Sequence, residues 1–182
     1  MYGYQPQKHK VFLSFYHRDD QFYKDSIDRN LSGNIINKSV CDGDYDPDNS
    51  DEYIKRLIRE DKVSDSSVIV VLVGQNTKTR KHVDWEIYAG LRDSVHGNSG
   101  LVGILLPTFP MTGWNTYNLS DLPNRLADNV TSGYADVYTW DIAVACFDTI
   151  IEQAYNNRIS RKHLVNNSRP QMQRNTSGDI YV

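Results

Sequence analysis

The sequence predicts an α/β protein in which a parallel sheet is sandwiched by helices. Two observations lead there. Short apolar runs alternate along the chain with segments of helical period, the order expected when each strand is followed by a crossover helix. Two of those runs, Val68 to Val73 and Leu101 to Leu106, carry no charge at all. Strands that read as continuously apolar are covered on both faces, which a parallel sheet between helix layers provides.

The elements follow in order. Lys10-Val11-Phe12-Leu13-Ser14-Phe15 reads as the first strand, and a helix follows from about Asp20 to Leu31. Lys38-Ser39-Val40-Cys41 reads as a weaker strand that opens into the acidic loop 42–50. Ser50 then suits an N-cap for a helix to about Asp61, with Asp51 and Glu52 favourable to its dipole. Val68 to Val73 is the clearest strand, rich in β-branched residues. A helix from about Arg80 to Asp93 places Val83, Ile87, Gly90 and Leu91 on one face, with Glu86 at its border. After the strand Leu101 to Leu106, stopped by Pro107, a long irregular segment runs from Thr108 to Ala135. Asp136 to Trp140 reads as a short strand, Asp141 to about Arg158 as the last helix. The polar remainder, 159–182, reads as a tail ordered only if something holds it.

The chain has 182 residues, 39% hydrophobic and 24% charged, with a net charge of −3. That suits one soluble domain with a real core and argues against nucleic acid as the main partner, since phosphate backbones select basic faces. No apolar run approaches the length of a membrane helix, and the N-terminus has no basic-then-apolar leader pattern. A cytoplasmic protein with no membrane partner is the expectation. Cys41 and Cys146 lie far apart in no metal-like spacing and read as free thiols. The acidic run Asp42 to Asp48 fails as an EF-hand, because Pro47 stands where the turn glycine belongs and Tyr53 where the bidentate glutamate belongs. No phosphate-cradling glycine loop and no GxSxG elbow occurs. No metal and no cofactor is therefore expected.

Glu86 carries the functional signal. The chain has 23 acidic residues, of which only Glu52, Glu60, Glu86 and Glu152 are glutamates. Among them Glu86 alone follows the carboxyl end of a strand that reads as fully buried. Ligands bind at that edge in open α/β sheets. A carboxylate there, with Trp85 adjacent, can stabilise a developing cation or handle a proton.

Val11-Phe12-Leu13-Ser14-Phe15-Tyr16-His17 resembles the opening strand of TIR domains, where an apolar strand ends in Ser and an aromatic. Val70 to Thr77 followed by Arg80 to Ile87 resembles the third strand and following helix of the TIR-like branch that includes the TIR proteins of Thoeris antiphage systems. Leu122 to Leu126, Asp128-Asn129, Gly133 to Ala135, Tyr138 and Trp140 resemble its later part. The likeness covers residues 8–158, leaving 1–7 as an N-terminal extension and 159–182 as the tail. It implies a flavodoxin-like TIR fold with a five-stranded parallel sheet and helices on both faces.

The resemblance also implies an activity: cleavage of the nicotinamide–ribose bond of NAD+, used as substrate rather than cofactor, to give ADP-ribose or a cyclic or conjugated signal. An effector protein would be reached through that nucleotide product. A phage component as trigger and self-assembly into a homo-oligomer are the further candidate partners. Glu86 aligns with the essential glutamate of the family. Ser14, Phe15 and Arg18, after the first strand, are candidates to contact ribose or pyrophosphate. Arg18 suits a bidentate phosphate contact. His82, one turn before Glu86, and Trp85 are candidates to line the same cleft; His82 stands where the family commonly has an aromatic, often Trp. Two other readings stay open: a non-enzymatic TIR interaction module, and a nucleoside 2-deoxyribosyltransferase-like enzyme, which shares the layout and a carboxylate at ribose.

Overall fold

The computed structural model describes residues 8–31, 33, 35–37, 49–94 and 97–176. The elements run in the order β1 (His9–Ser14), α1 (His17–Asn30), β2 (Ile35–Asn37), α2 (Asp51–Leu57), β3 (Val68–Val73), α3 (Lys81–Leu91), β4 (Gly100–Leu105), α4 (Asn124–Thr131), β5 (Asp136–Thr139) and α5 (Trp140–Ser160). Every strand pairing is parallel, and the sheet order is β2-β1-β3-β4-β5. This is the flavodoxin-like order, which places its topological switch point between β1 and β3. Four of the strands have four to six residues; β2, at the edge, adds three.

The sheet's two faces are closed differently. Phe12, Ile69, Val71, Val73 and Leu101 pack under α2, α3 and α4. Val11, Leu13, Val68, Val70, Leu72 and Ile104 pack under α1 and α5. The alternation along β1 and β3 is that of a strand with both faces buried, and all six residues of β3 are buried. α3 lies unusually close to the sheet: a Cβ at Gly90 would collide with the Ile69 side chain. With a larger residue there the Ile69 side chain would have to shift.

Several boundaries differ from the sequence expectation. Lys38 to Cys41 and the acidic residues 42–48 lie outside the described residues; β2 is formed earlier, at Ile35–Asn37. Ser50 does cap α2, its Oγ accepting the Tyr53 N–H at 3.2 Å, and the helix continues as a π-helical turn over Ile58–Lys62. The segment 108–135 is not wholly irregular. It contains a 3-10 turn, Leu119–Asp121, and α4. Within α4 only Leu126 and Val130 mark an apolar stripe, while the polar Arg125 and Asn129 are themselves buried. α4 is held by a polar hub that no hydrophobic period announces.

The segment after α5 is likewise held. A short turn at Lys162–Leu164 brings the chain back over α4 and α3. Leu164 and Val165 pack against the core. From there 166–176 forms a strap fastened by hydrogen bonds. Asn129 Nδ2 donates to the Asn166 carbonyl at 2.7 Å, Asn167 Nδ2 to the Tyr88 carbonyl at 3.1 Å, and the Met172 N–H to Asp84 Oδ2 at 2.8 Å. At the far end the Lys81 N–H donates to Asn175 Oδ1 and the Thr176 N–H to the Thr79 carbonyl. Among the described residues no helix is long and apolar enough to cross a membrane.

Candidate functional site

β1 and β3 end side by side, with Ser14 registered against Val71. Side chains alternate along β1, so Ser14 shares the face of Phe12 and points to the α3 layer, while Phe15 belongs to the opposite core with α1 and α5. α3 descends over the same edge. Its Val83, Ile87, Gly90 and Leu91 are buried against the sheet, as the helical period anticipates. Glu86 is thereby aimed at the end of β1, where Ser14 Oγ donates a hydrogen bond to Glu86 Oε2 at 2.5 Å. Ser14 is fully buried and Glu86 only 3% exposed. Glu52, Glu60 and Glu152 are all exposed, so Glu86 is the one glutamate withdrawn from solvent. A carboxylate in so poor a dielectric acts on a nearby charge far more strongly than one in water.

His82 is one helical turn before Glu86, on the same side of α3. Desolvation lowers its pKa to about 4, with Lys81 adding to the effect, Asp51 opposing it and His17 adding a smaller push. His82 is therefore a neutral imidazole at physiological pH, able to pack or hydrogen-bond but not to serve as a cation. Its ring centroid lies 5.2 Å from that of Trp85. Trp85 turns outward under the strap: its indole N–H donates to the Met172 carbonyl at 2.8 Å, and Lys55 and Lys81 ammonium groups stand 4.8 and 4.9 Å from its ring.

The β1–α1 and β3–α3 connections are laced together across this edge. Arg80 stacks on the Tyr16 ring at 4.0 Å, and Asn76 Nδ2 donates to Asp19 Oδ2 at 2.7 Å. Phe15 is buried with its ring 4.2 Å from that of His17. Arg18 lies exposed in the first turn of α1. The structure thus brings Ser14, His82 and Glu86 to one strand edge. It places Phe15 on the other side of the sheet, Trp85 under the strap, and Arg18 at the rim.

A second buried carboxylate stands at the same edge. Asp20 of α1 reaches over the end of β3, where Thr77 Oγ1 is 3.2 Å from its Oδ2, while its Oδ1 has no hydrogen-bond partner among the described residues. A Cβ on Gly74 would collide with this carboxylate, so the approach requires glycine there. Burial, opposed by the hydrogen bond from Thr77, raises the Asp20 pKa to about 6. Asp20 was not distinguishable in the sequence from an ordinary helix residue; only the meeting of the two connections reveals it.

An open, doubly covered parallel sheet with a buried serine–glutamate pair at its switch point defines a TIR-like α/β domain. The family profile for the TIR-like domain of the Thoeris protein ThsB matches residues 12–109, 98 of the 182 residues, and the chain belongs to that family. The matched stretch runs from β1 past β4 and so includes Ser14, His82 and Glu86. No curated protein sequence matches the chain.

Proposed function

We propose that the chain is an NAD+-consuming enzyme that cleaves the nicotinamide–ribose bond and makes an ADP-ribose-type signal, cyclic or conjugated, for an effector in antiphage defence. The observation that carries this reading is Glu86, desolvated and oriented by Ser14 at the ligand-binding edge of a TIR-like domain. In the reaction the C–N bond breaks heterolytically, and its electron pair leaves with nicotinamide, which becomes neutral. Positive charge develops on the anomeric carbon and ring oxygen. A carboxylate beside the ribose stabilises that charge, as in glycoside hydrolysis, and a water or hydroxyl oxygen then adds to the carbon and loses its proton. Glu86 is the stabilising group and Ser14 fixes its orientation. His82, neutral, lines the nicotinamide side. Arg18 and Arg80 at the rim are the cations suited to pyrophosphate.

The test is Glu86→Gln, nearly isosteric, assayed for nicotinamide release from NAD+ in extracts of phage-infected cells, with mass spectrometry of the products. Loss of the charge at the cationic centre should raise the barrier by about 3 kcal/mol or more, while the unfolding midpoint stays near wild type. Turnover within a few-fold of wild type removes Glu86 from the mechanism. Release of free base from deoxynucleosides, with NAD+ untouched, would transfer the chain to deoxyribosyl transfer.

A further inference from the structure

The outer side of α3, away from the Glu86 edge, faces a groove of about 550 Å³ between α2 and the strap. Tyr53 and Tyr88 contribute aromatic surface to it, with the buried Trp85 behind them, and Lys55, Arg56, Arg59 and Arg92 contribute charge. Among the described residues Glu52 is the single acid in the lining, and Gln171 of the strap closes one wall. A volume of that order can take a small organic ligand. In a chain of net charge −3, the described lining residues set four cations against one acid.

Two of the four cations are arranged on aromatic rings. Lys55 stands over Trp85, and the Arg56 guanidinium lies 5.4 Å from the Tyr53 ring. Arg59 pairs with its exposed neighbour Glu60 at 2.8 Å, and Arg92 makes no ion pair among the described residues. Arg59 and Arg92 also border a second hollow of about 520 Å³ farther along α3. The charge therefore sits midway between two spaces, with aromatic surface on one side of it.

We propose that this groove binds a nucleoside polyphosphate, its phosphates on Arg56, Arg59 and Arg92 and its base against Tyr53 and Tyr88, at a site separate from Glu86. Guanidinium groups grip phosphate oxygens in pairs, and an aromatic face accepts a base regardless of its identity. The site does not depend on the activity proposed for Glu86.

Isothermal titration of the full chain with ATP, ADP-ribose and inorganic tripolyphosphate tests it, together with photolabelling by an azido-ATP mapped by mass spectrometry. ATP should bind at micromolar concentrations, more weakly as salt rises, and about tenfold or more weakly in an Arg56→Ala/Arg92→Ala variant. Both arginines are exposed, so that variant should fold normally. The label should fall on peptides containing Tyr53 or Tyr88. No ATP binding up to millimolar concentration, unchanged affinity in the double variant, or label on peptides containing His17 instead would each overturn the site. Tripolyphosphate binding as tightly as ATP would overturn the place given to the base.

Discussion

Two groups at the same sheet edge, buried Asp20 and half-buried His82, should make the stability of this protein depend on pH in opposite directions. Asp20 has its pKa raised from 3.8 to about 6. Between those values the native state holds a proton that the unfolded chain has released, so stability falls as pH rises through the window. The difference of about 2.2 units corresponds to about 3 kcal/mol lost by pH 7. His82 has its pKa lowered from 6.5 to about 4. There the unfolded chain holds the extra proton, so stability is fully present above pH 6.5 and is lost by about 3 kcal/mol as pH falls to 4. In the wild type the two slopes oppose each other across pH 4 to 6.5. Single substitutions separate them. Asp20→Asn, which keeps the shape of the protonated acid, should match wild type near pH 4 and exceed it by about 3 kcal/mol at pH 7. His82→Gln should gain on wild type toward pH 4 by a similar amount. Urea unfolding followed by circular dichroism at pH 4, 5, 6 and 7, at constant ionic strength, measures both differences. A difference between Asp20→Asn and wild type that stays constant within about 0.5 kcal/mol across this range would refute the assignment of Asp20.

Ser14→Ala removes the donor that holds Glu86, and should cost about 1.5–3 kcal/mol in urea unfolding as well as slowing NAD+ cleavage; no change in either would make the 2.5 Å contact incidental. Asp84→Ala leaves Arg125 buried without its carboxylate and should destabilise by about 3–5 kcal/mol, with hydrogen exchange quickened first at 166–176. An unaltered unfolding midpoint would show that this pair does not hold the strap. For the rim, Arg18→Ala and Arg80→Ala should each weaken NAD+ use by about 1.5–3 kcal/mol if they grip pyrophosphate, with Arg18→Lys recovering only part. Kinetics unchanged in both alanine variants would return them to the solvated surface.

The legible parts of the fold were those written in apolar side chains. β3 and β4 are uninterrupted runs of Val, Ile, Leu and Gly, and α3 carries its core stripe at Val83, Ile87 and Leu91. Glu86 was legible because a rare glutamate fell just after such a strand. What escaped was written in polar ones. α4 and the strap are joined by Arg125, Asn129, Asn166 and Asn167, residues that in a sequence signal loop. Hydrogen bonding between segments far apart has no period, so the residues after 160 read as an unattached tail. The burial of Asp20 depends on the lack of a side chain at Gly74, 54 positions later, which no local pattern records.

Asp84 accepts from Arg125 Nε at 2.9 Å and Nη2 at 3.3 Å, and from the backbone of Met172, 88 residues away. Arg125 is fully buried and also donates to Asn167 Oδ1 and the Pro170 carbonyl. Asp84 and Trp85 immediately precede Glu86, so the helix bearing the carboxylate takes its outer support from a segment with almost no apolar grip. Ordering about a dozen residues costs backbone entropy on the order of 1–2 kcal/mol each, nearly as much as their hydrogen bonds return. The strap is therefore the part of the molecule that can let go while the sheet stays folded. A genetic map of inactivating substitutions should then show two clusters: one around 80–91, and a second, remote in sequence, at 166–176. Changes in the second cluster would act on the rate of the proposed reaction long before they acted on the abundance of the protein.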